Sequence, residues 1–156
     1  MSVETVRDYL KQWNAQDRIM EFPVSSASVA EAAVALHCEE KEIAKTMSFK
    51  VDDQAILIVT AGDAKIDNSK YKAAYHKKAS MLKGDELEPM TGHPAGGVCP
   101  FATKAGVTVY LDESLKRFAK VYPACGSTNS AIELSLEELE AYSGFQKWVD
   151  VCKDWE

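Results

Sequence analysis

The chain has 156 residues, of which 46% are hydrophobic and 27% charged, and its net charge is −6. This length suits one domain, and the composition is that of a soluble globular protein. The sequence contains no run of about 18 apolar residues, so we expect no membrane span. The N-terminal segment carries acids where a signal peptide would be apolar. The cysteines, at positions 38, 99, 125 and 152, have no C-x-x-C spacing, so we expect reduced thiols in a cytoplasmic protein.

The first forty residues predict helices and one short strand. Apolar residues at helical spacing predict an amphipathic helix over residues 1–15, and residues 18–22 indicate a short strand that Pro23 ends. Ser28 and Glu31 have the spacing of a capping box, which predicts the start of a second helix. The acidic residues 39–42 predict one further helical turn.

A hairpin follows. Residues 45–51 alternate in polarity, which predicts a strand, and residues 55–60 form an apolar run typical of a strand buried on both faces. Asp52-Asp53 supplies the turn between them. Lys45 shares the apolar face of the first strand, where a lysine can extend to solvent, pair with an acid or serve a site. The residue alone leaves these three alternatives open.

The rest of the chain predicts shorter elements. The predicted helices are one capped by Asp67 with Tyr71, Ala74 and Tyr75 inward, a short one at 85–90, and one that begins at a Ser135/Glu138 capping box and ends at Gly144. The predicted strands lie at 107–111, 119–124 and 131–134, with an edge strand at 148–152. Asp112 caps a predicted turn. We therefore predict one α/β domain over residues 1–156, with a mixed, largely antiparallel sheet and flanking helices.

Two glycine-containing loops interrupt these elements. In the central loop, residues 91–101, Gly96-Gly97 lies between prolines, so this segment is neither regular helix nor central strand. Glycine permits positive φ and close approach of another group, and Phe101 can pack beneath the loop as an anchor. The second loop, residues 125–130, offers backbone N–H groups, hydroxyls and one amide. Residue types alone explain the central loop equally well as a simple chain reversal, and for the second loop they favour a hairpin turn.

The segment from Lys65 to Lys83 contains six lysines and one acid, in a protein that is acidic as a whole. Such a patch fits either a partner with limited phosphate contact or a solvated helix face. The sequence has no P-loop, dinucleotide fingerprint or G-x-S-x-G elbow. Its histidines and cysteines lack metal-ligand spacing, so we expect no metal and no cofactor.

Three features together resemble the YbaK/prolyl-tRNA-editing family, the free-standing relatives of the editing domain of prolyl-tRNA synthetases. One is Lys45-Thr46 at the start of a strand. Another is Gly126-Ser127-Thr128-Asn129 followed by the Ser135 helix. The most specific is a loop similar to the family's G-H-P-x-G-G-V-x-P-F, namely Gly92-His93-Pro94-Ala95-Gly96-Gly97-Val98-Cys99-Pro100-Phe101. Their order and spacing fit over essentially the whole chain.

The resemblance implies a hydrolase that cleaves the aminoacyl ester at the 3′ end of a mischarged tRNA. By analogy, Lys45 contacts the terminal adenosine or phosphate and the aminoacyl group, while the backbone of Gly96 and Gly97 holds the ester carbonyl in an oxyanion-hole role. Water attacks with assistance from the tRNA ribose hydroxyl. The substrate-binding residues implied are Thr46, His93, Pro100, Phe101, Gly126, Ser127 and Asn129. The lysines expected to meet the acceptor stem are Lys70, Lys72, Lys77 and Lys78.

Several alternatives stay open at this level. His93 can shape its loop as easily as contact adenosine. Residues 123–130 differ from the segment usual in the branch that hydrolyses Cys-tRNA(Pro), so the expected substrate is tRNA(Pro) carrying a small amino acid, with alanine, serine or threonine as suitable as cysteine. The alternatives to an editing enzyme are a non-catalytic module that binds aminoacyl-tRNA or an aminoacyl-nucleotide, and a metal-dependent hydrolase. The sequence does not indicate the oligomeric state.

Overall fold

Three helices begin at capping signals in the sequence, as the computed structural model of residues 2–155 shows. The Ser28 hydroxyl accepts a hydrogen bond from Glu31 N–H, and the Glu31 carboxylate accepts one from Ser28 N–H. Ser135 and Glu138 make the same reciprocal pair, and Asp67 accepts two backbone N–H groups at the start of its helix. The three predicted caps are confirmed, and each satisfies donors that the first helical turn leaves without a partner.

The elements between these caps are short. The α-helices of the described residues are α1 (Ser2–Leu10), α2 (Val29–Leu36), α3 (Asn68–Tyr75), α4 (Gly84–Thr91) and α5 (Leu136–Ser143). The β-strands are β1 (Met20–Glu21), β2 (Ile43–Val51), β3 (Gln54–Ala61), β4 (Lys65–Ile66), β5 (Thr108–Asp112), β6 (Lys120–Pro123), β7 (Ser130–Ala131), β8 (Leu134–Ser135), β9 (Trp148–Val149) and β10 (Cys152–Lys153). Short 3-10 helices cover Lys11–Trp13, Gln16–Arg18, Glu40–Glu42 and Glu113–Arg117.

β2 and β3 form an antiparallel hairpin at the centre of the main sheet. Asp52 and Asp53 have φ angles of 49° and 69°, the positive values that a two-residue I′ turn requires. In the described part of the chain the strand order is β8-β6-β2-β3-β5-β9. β6 lies parallel to β2, and β5 lies parallel to both β3 and β9. The predicted α/β fold with a mixed sheet is confirmed, and its longest ladder is antiparallel.

β3 is buried on both faces, as its apolar run predicts, because every residue from Ala55 to Ala61 is buried. A second, smaller cluster lies under α2, where Ala32 and Ala33 pack on Ile43 with Tyr122 beside them. This packing holds the beginning of α2 next to the beginning of β2. The beginnings of α2 and β2 are therefore held side by side, where they can form two walls of one cleft.

Several predicted boundaries are wrong for local reasons. The helix expected over residues 1–15 ends at Leu10, because Asn14 adopts a left-handed conformation (φ 55°) that closes a 3-10 turn; Met1 lies outside the described residues. Ala74 is exposed instead of inward. The strands expected at 131–134 and 148–152 each divide in two, because their halves pair with different strands. Within residues 2–155, no helix is both long and apolar enough to cross a membrane.

Candidate functional site

The backbone edge of β2 is open between Ala44 and Ser48. Ala44 is the last residue of β2 that pairs with β6, and the Ser48 carbonyl accepts a hydrogen bond from Leu82 N–H at 3.1 Å. Because alternate residues of a strand direct their backbone groups to the same side, the N–H and C=O of Thr46 face the gap between these contacts. The gap opens into a cavity of about 230 Å³, which we call the first cleft.

Three separate parts of the chain wall the first cleft. They are β2 with Lys45 and Thr46, the beginning of α2 with the residues before it, and the central loop with Gly96 and Val98. The Thr46 hydroxyl oxygen is buried and has no hydrogen-bond partner within residues 2–155. The structure thus brings Lys45, Thr46 and Gly96 together, although the central loop lies about fifty residues after β2 in the sequence.

The two glycines of the central loop are placed differently. Gly97 N–H donates to Pro94 O at 3.0 Å, and Gly96 has φ of +82°, the pattern of a type II turn with glycine at its third position. Gly96 is exposed, and its N–H has no partner within residues 2–155. Gly97 is buried, and a side chain there would meet the backbone of Gly126 and Ser127 at 2.7 Å. Of these two glycines, Gly96 is therefore the one whose N–H is available to a ligand.

The second loop supports this arrangement through its own polar side chains. Asn129 Nδ2 donates to Phe22 O at 2.9 Å, and Phe22 N–H donates to Asn129 O at 2.8 Å. Ser127 Oγ donates to Asn129 Oδ1 at 3.0 Å, and Gly126 is buried with φ of +93°. The side chains of Ser127 and Asn129 are thus engaged with the protein itself, where they tie the second loop to the segment after β1.

His93 lies beneath the central loop and is fully buried. Its Nε2–H donates to the Phe101 carbonyl at 2.7 Å, while Nδ1 has no partner within residues 2–155. Burial lowers the pKa of His93, partly opposed by this hydrogen bond. Phe101 and Pro100 are also buried, so Phe101 anchors the loop as predicted. In this structure all three residues shape the loop from below and do not line the first cleft.

Lys45 is half-buried, and its ammonium donates to Ala64 O at 2.5 Å. Burial lowers the pKa of Lys45, and the nearby Cys152 and Asp63 oppose this in part. No carboxylate in the described part of the chain lies within ion-pair distance of the ammonium. Of the three alternatives for this lysine, pairing with an acid does not occur among the described residues, and the lysine lines the first cleft. Since an ammonium has three donors, two remain for a ligand.

The lysine-rich segment is partly neutralised. Lys70 pairs with Asp150 at 3.1 Å, and Lys77 pairs with Asp52 at 2.7 Å. Lys72 and Lys78 are exposed and form no ion pair within residues 2–155. Of the four lysines expected at an acceptor stem, two are therefore held by acids of the protein and two are available to phosphate.

Sequence analysis did not identify the segment before α2. Ser26 N–H donates to Thr128 O at 2.6 Å, and Ala27 Cβ lies 3.3 Å from the position that a side chain at Gly96 would occupy. These contacts hold the segment against both loops, but it has no periodic pattern that could have revealed this. Met81, which lines the first cleft and is 55% exposed, was missed as well. A large apolar residue among lysines was the available signal.

The fold and the site define a single-domain α/β protein whose cleft is built from one lysine, a free strand edge and a glycine turn. Within residues 2–155, no group of three or more His, Cys, Asp or Glu side chains is placed to hold a metal ion. The family model "Aminoacyl-tRNA editing domain" matches residues 24–142. The chain belongs to this family, as the resemblance predicted.

Relatives extend the similarity to the whole chain. The uncharacterized protein YwhH of Bacillus subtilis (strain 168) is 52% identical over 157 residues, which is 100% of each protein. A proline–tRNA ligase of Bacillus velezensis is 27% identical over 90 residues, 57% of this chain but 16% of the ligase. This chain is thus similar to one part of a much longer synthetase.

Solved structures agree with these relatives. A crystal structure described as a candidate trans-editing enzyme for prolyl tRNA synthetase has a TM-score of 0.87 at 26% identity and covers 97% of both chains. A hypothetical protein has a TM-score of 0.79 at 27% identity and covers 93% of this chain and 99% of its own. Family and fold together support a role in aminoacyl-tRNA editing.

Proposed function

We propose that this protein is a trans-editing hydrolase that removes a small amino acid from mischarged tRNA(Pro). The observation that carries the proposal is that Lys45, Thr46 and Gly96 line one cleft of about 230 Å³. The family supports the reaction class. Similarity to a proline–tRNA ligase and to a candidate trans-editing enzyme for prolyl tRNA synthetase supports the choice of tRNA.

The donors of the first cleft suit an ester carbonyl. Ester hydrolysis passes through a tetrahedral intermediate whose oxygen carries negative charge, and positioned donors stabilise that charge. The available donors are the Lys45 ammonium and the backbone N–H groups of Gly96 and Thr46. Gly97 N–H, which the resemblance assigned to the same role, is already bonded to Pro94 O. We therefore assign the oxyanion contact to Gly96.

The reaction needs a water molecule and no covalent intermediate. Water attacks the carbonyl carbon, the bond between this carbon and the ribose oxygen breaks, and a proton from the water passes to the ribose oxygen. No Asp, Glu or His lines the first cleft among the described residues, so the adjacent ribose hydroxyl is assigned the task of orienting the water. An aminoacyl ester is already activated, and positioning lowers the remaining barrier.

The first cleft limits the amino acid to a small one. Its lining includes the apolar side chains of Ala27, Val29 and Ala32, and the same volume of about 230 Å³ must also hold the α-amino and ester groups. Apolar walls discriminate between two substrate side chains by only about 1–3 kcal/mol of binding free energy per methylene. We therefore expect hydrolysis of one or two small aminoacyl esters and exclusion of longer side chains.

The test is a panel of tRNA(Pro) charged with alanine, cysteine, serine, threonine or proline. We expect rapid loss of one or two of these esters, and a decrease in rate of about 100-fold or more in Lys45→Ala, as for removal of an oxyanion donor. Lys50→Ala is the matched control, because Lys50 lies on the same strand but pairs with Glu86 and does not line the first cleft.

Three results would contradict the proposal. If every ester survives while the tRNA still binds, the protein is a non-catalytic binding module. If Lys45→Ala is as active as the parent, the ammonium is not part of the site. Equal losses in Lys45→Ala and Lys50→Ala would show a general effect of removing positive charge.

A further inference from the structure

The turn formed by residues 61–64 carries both the acceptor of the Lys45 ammonium and an acid next to it. Lys45 donates to the Ala64 carbonyl at 2.5 Å, and Asp63 directly precedes Ala64 in the chain. The charge of Asp63 acts on Lys45, because it opposes the lowering of the lysine pKa by burial. No ion pair joins these two side chains, although they are close enough for their charges to interact.

Arg117 holds the carboxylate of Asp63. Its Nη1–H donates to Asp63 Oδ2 at 3.0 Å, and its Nη2–H donates to Asp63 Oδ1 at 2.6 Å, so both oxygens are engaged. The Arg117 side chain is only 15% exposed; its Nε–H donates to Ser114 O at 2.9 Å, and its guanidinium lies over the ring of Trp155. Hydrogen bonding to Arg117 lowers the pKa of Asp63. The acid beside Lys45 is thus ionised and bound to a different cation.

The turn has contacts that do not involve the side chain of Asp63. Ala61 N–H donates to the buried Ser114 Oγ at 3.1 Å. Gly62 packs so closely on the Glu40 backbone that an added side chain would overlap the Glu40 carbonyl. These contacts hold the turn in place through its backbone, so the pairing of its carboxylate has another consequence.

A carboxylate without its partner would compete for the ammonium. A full negative charge attracts an ammonium more strongly than the dipole of a carbonyl does, so a free Asp63 would be a better acceptor for Lys45 than Ala64 O. The flexible stem of a lysine lets its ammonium move toward such an acceptor. An ammonium neutralised in this way stabilises a developing oxyanion less well.

We propose that Arg117 is a positioning residue for Lys45: it holds both oxygens of Asp63, so that this carboxylate cannot capture the ammonium needed in the first cleft. Arg117 does not line that cleft and acts only through Asp63. The inference rests on the proposed function, because it concerns the ammonium on which the proposed hydrolysis depends.

The kinetic test uses Arg117→Met, which keeps an apolar stem for packing but donates no hydrogen bond. For the ester that the panel identifies, kcat should decrease by about tenfold with KM unchanged, a smaller loss than for complete removal of an oxyanion donor. Adding Asp63→Asn should recover most of this loss, because an amide carries no charge that could hold the ammonium. Arg18→Met is the matched control, since it removes a similarly close pair with Glu138 outside the first cleft.

The second measurement needs no substrate. The pKa of Lys45 can be read from its ¹³Cε resonance during a pH titration, with the resonance assigned by its loss in Lys45→Arg. Besides Asp63, the groups whose charge acts on Lys45 are Cys152 of β10 and Lys65 of β4, and the test variants retain both. Arg117→Met should raise the pKa of Lys45, because the released carboxylate favours the ammonium, and Asp63→Asn alone should lower it.

Several outcomes would overturn the inference. If the double variant is as slow as Arg117→Met, the pair acts through the structure of the turn and not through competition. An unchanged pKa of Lys45 in Arg117→Met would show that the released carboxylate does not reach the ammonium. If Arg117→Met does not fold, Asp63→Asn decides alone: it should retain kcat at neutral pH while the pKa of Lys45 falls, and a large loss of kcat would contradict the role.

A conservative variant and the two readouts separate this inference from the proposed function. Arg117→Lys should lie between the parent and Arg117→Met in kcat and in the pKa of Lys45, because an ammonium pairs with a carboxylate without the two-pronged geometry of a guanidinium. If the pKa of Lys45 responds as expected while no ester is hydrolysed, the proposed function fails and the positioning role stands. Hydrolysis that is lost in Lys45→Ala but unchanged in Arg117→Met has the reverse meaning.

Discussion

Lys45 can stabilise an oxyanion only while it is an ammonium. Its pKa in the folded protein is lowered by burial, because the low-dielectric surroundings disfavour the charged form. A function that needs this charge is therefore present below the lowered pKa and lost as the pH rises through it. Loss begins at a lower pH than for an exposed lysine, whose pKa is about 10.4.

This titration predicts the alkaline limb of the pH profile. After subtraction of the uncatalysed hydrolysis, kcat/KM for a charged tRNA should decrease at a lower pH than the one at which an exposed lysine loses its proton. Lys45→Arg should remove this decrease, because a guanidinium stays charged, even if its rate at neutral pH is lower. If kcat/KM decreases at the same alkaline pH in Lys45→Arg, the titration belongs to another group.

His93 is predicted to act through the position of the central loop. His93→Ala leaves the buried Phe101 carbonyl with only the weak Cys99 thiol donor at 3.7 Å, which should lower the free energy of unfolding by about 1–3 kcal/mol. His93→Gln, which can carry an amide N–H to the same carbonyl, should recover part of the stability and of kcat. Urea unfolding and steady-state kinetics of both variants measure this. Full activity in His93→Ala would contradict the role.

At the level of elements, the site depends on two loops that touch through backbone. Gly97 packs on the peptide between Gly126 and Ser127, and the turn at Gly96 presents its N–H to the first cleft. The loops are far apart in sequence and neither is part of the main sheet. Their mutual contact therefore sets the distance between the Gly96 turn and the open edge of β2.

Gly97→Ala tests this contact. The added methyl group would meet backbone atoms at 2.7 Å, so the loops must separate. We expect a decrease in the free energy of unfolding of about 1–3 kcal/mol, as for overpacking, together with loss of deacylation. Gly84→Ala is the matched control.

Gly84 begins α4 and has no atom within 4 Å of the added methyl group, so Gly84→Ala should be neutral or stabilising by up to about 1 kcal/mol. Urea unfolding of the two variants makes the comparison. Equal stability of the two variants would show that the loops adjust without cost.

At the level of the whole molecule, the sequence predicts those features that depend on residues close to one another along the chain. The caps at Ser28 and Ser135, the I′ turn and the buried run of β3 depend on residues within about ten positions of one another, and all were found. The order of β5 and β6 around the hairpin was not predictable, because it depends on pairing across the entire chain. Of the site, Lys45 and Gly96 were identified through a family resemblance and not through their spacing.

The first cleft itself could not be derived from sequence. It forms where β2, the beginning of α2 and the central loop meet, and no motif encodes such a meeting. The wall formed by Ser26 and Ala27 depends on contacts with residues about a hundred positions later. Only the folded chain reveals that the Asn129 amide bonds the Phe22 carbonyl and that the Ser127 hydroxyl bonds Asn129.

The central position of the β2–β3 hairpin also affects the risk of aggregation during synthesis on the ribosome. The hairpin is complete by Ala61, but its parallel neighbours, β5 and β6, begin at Thr108 and Lys120. Until β5 and β6 are synthesised, the nascent chain therefore carries a strand that is apolar on both faces and has an uncovered edge, which is a template for aggregation. Synthesis of β5 and β6 closes the sheet on both sides of the hairpin, so protection from aggregation arrives well after the hairpin itself.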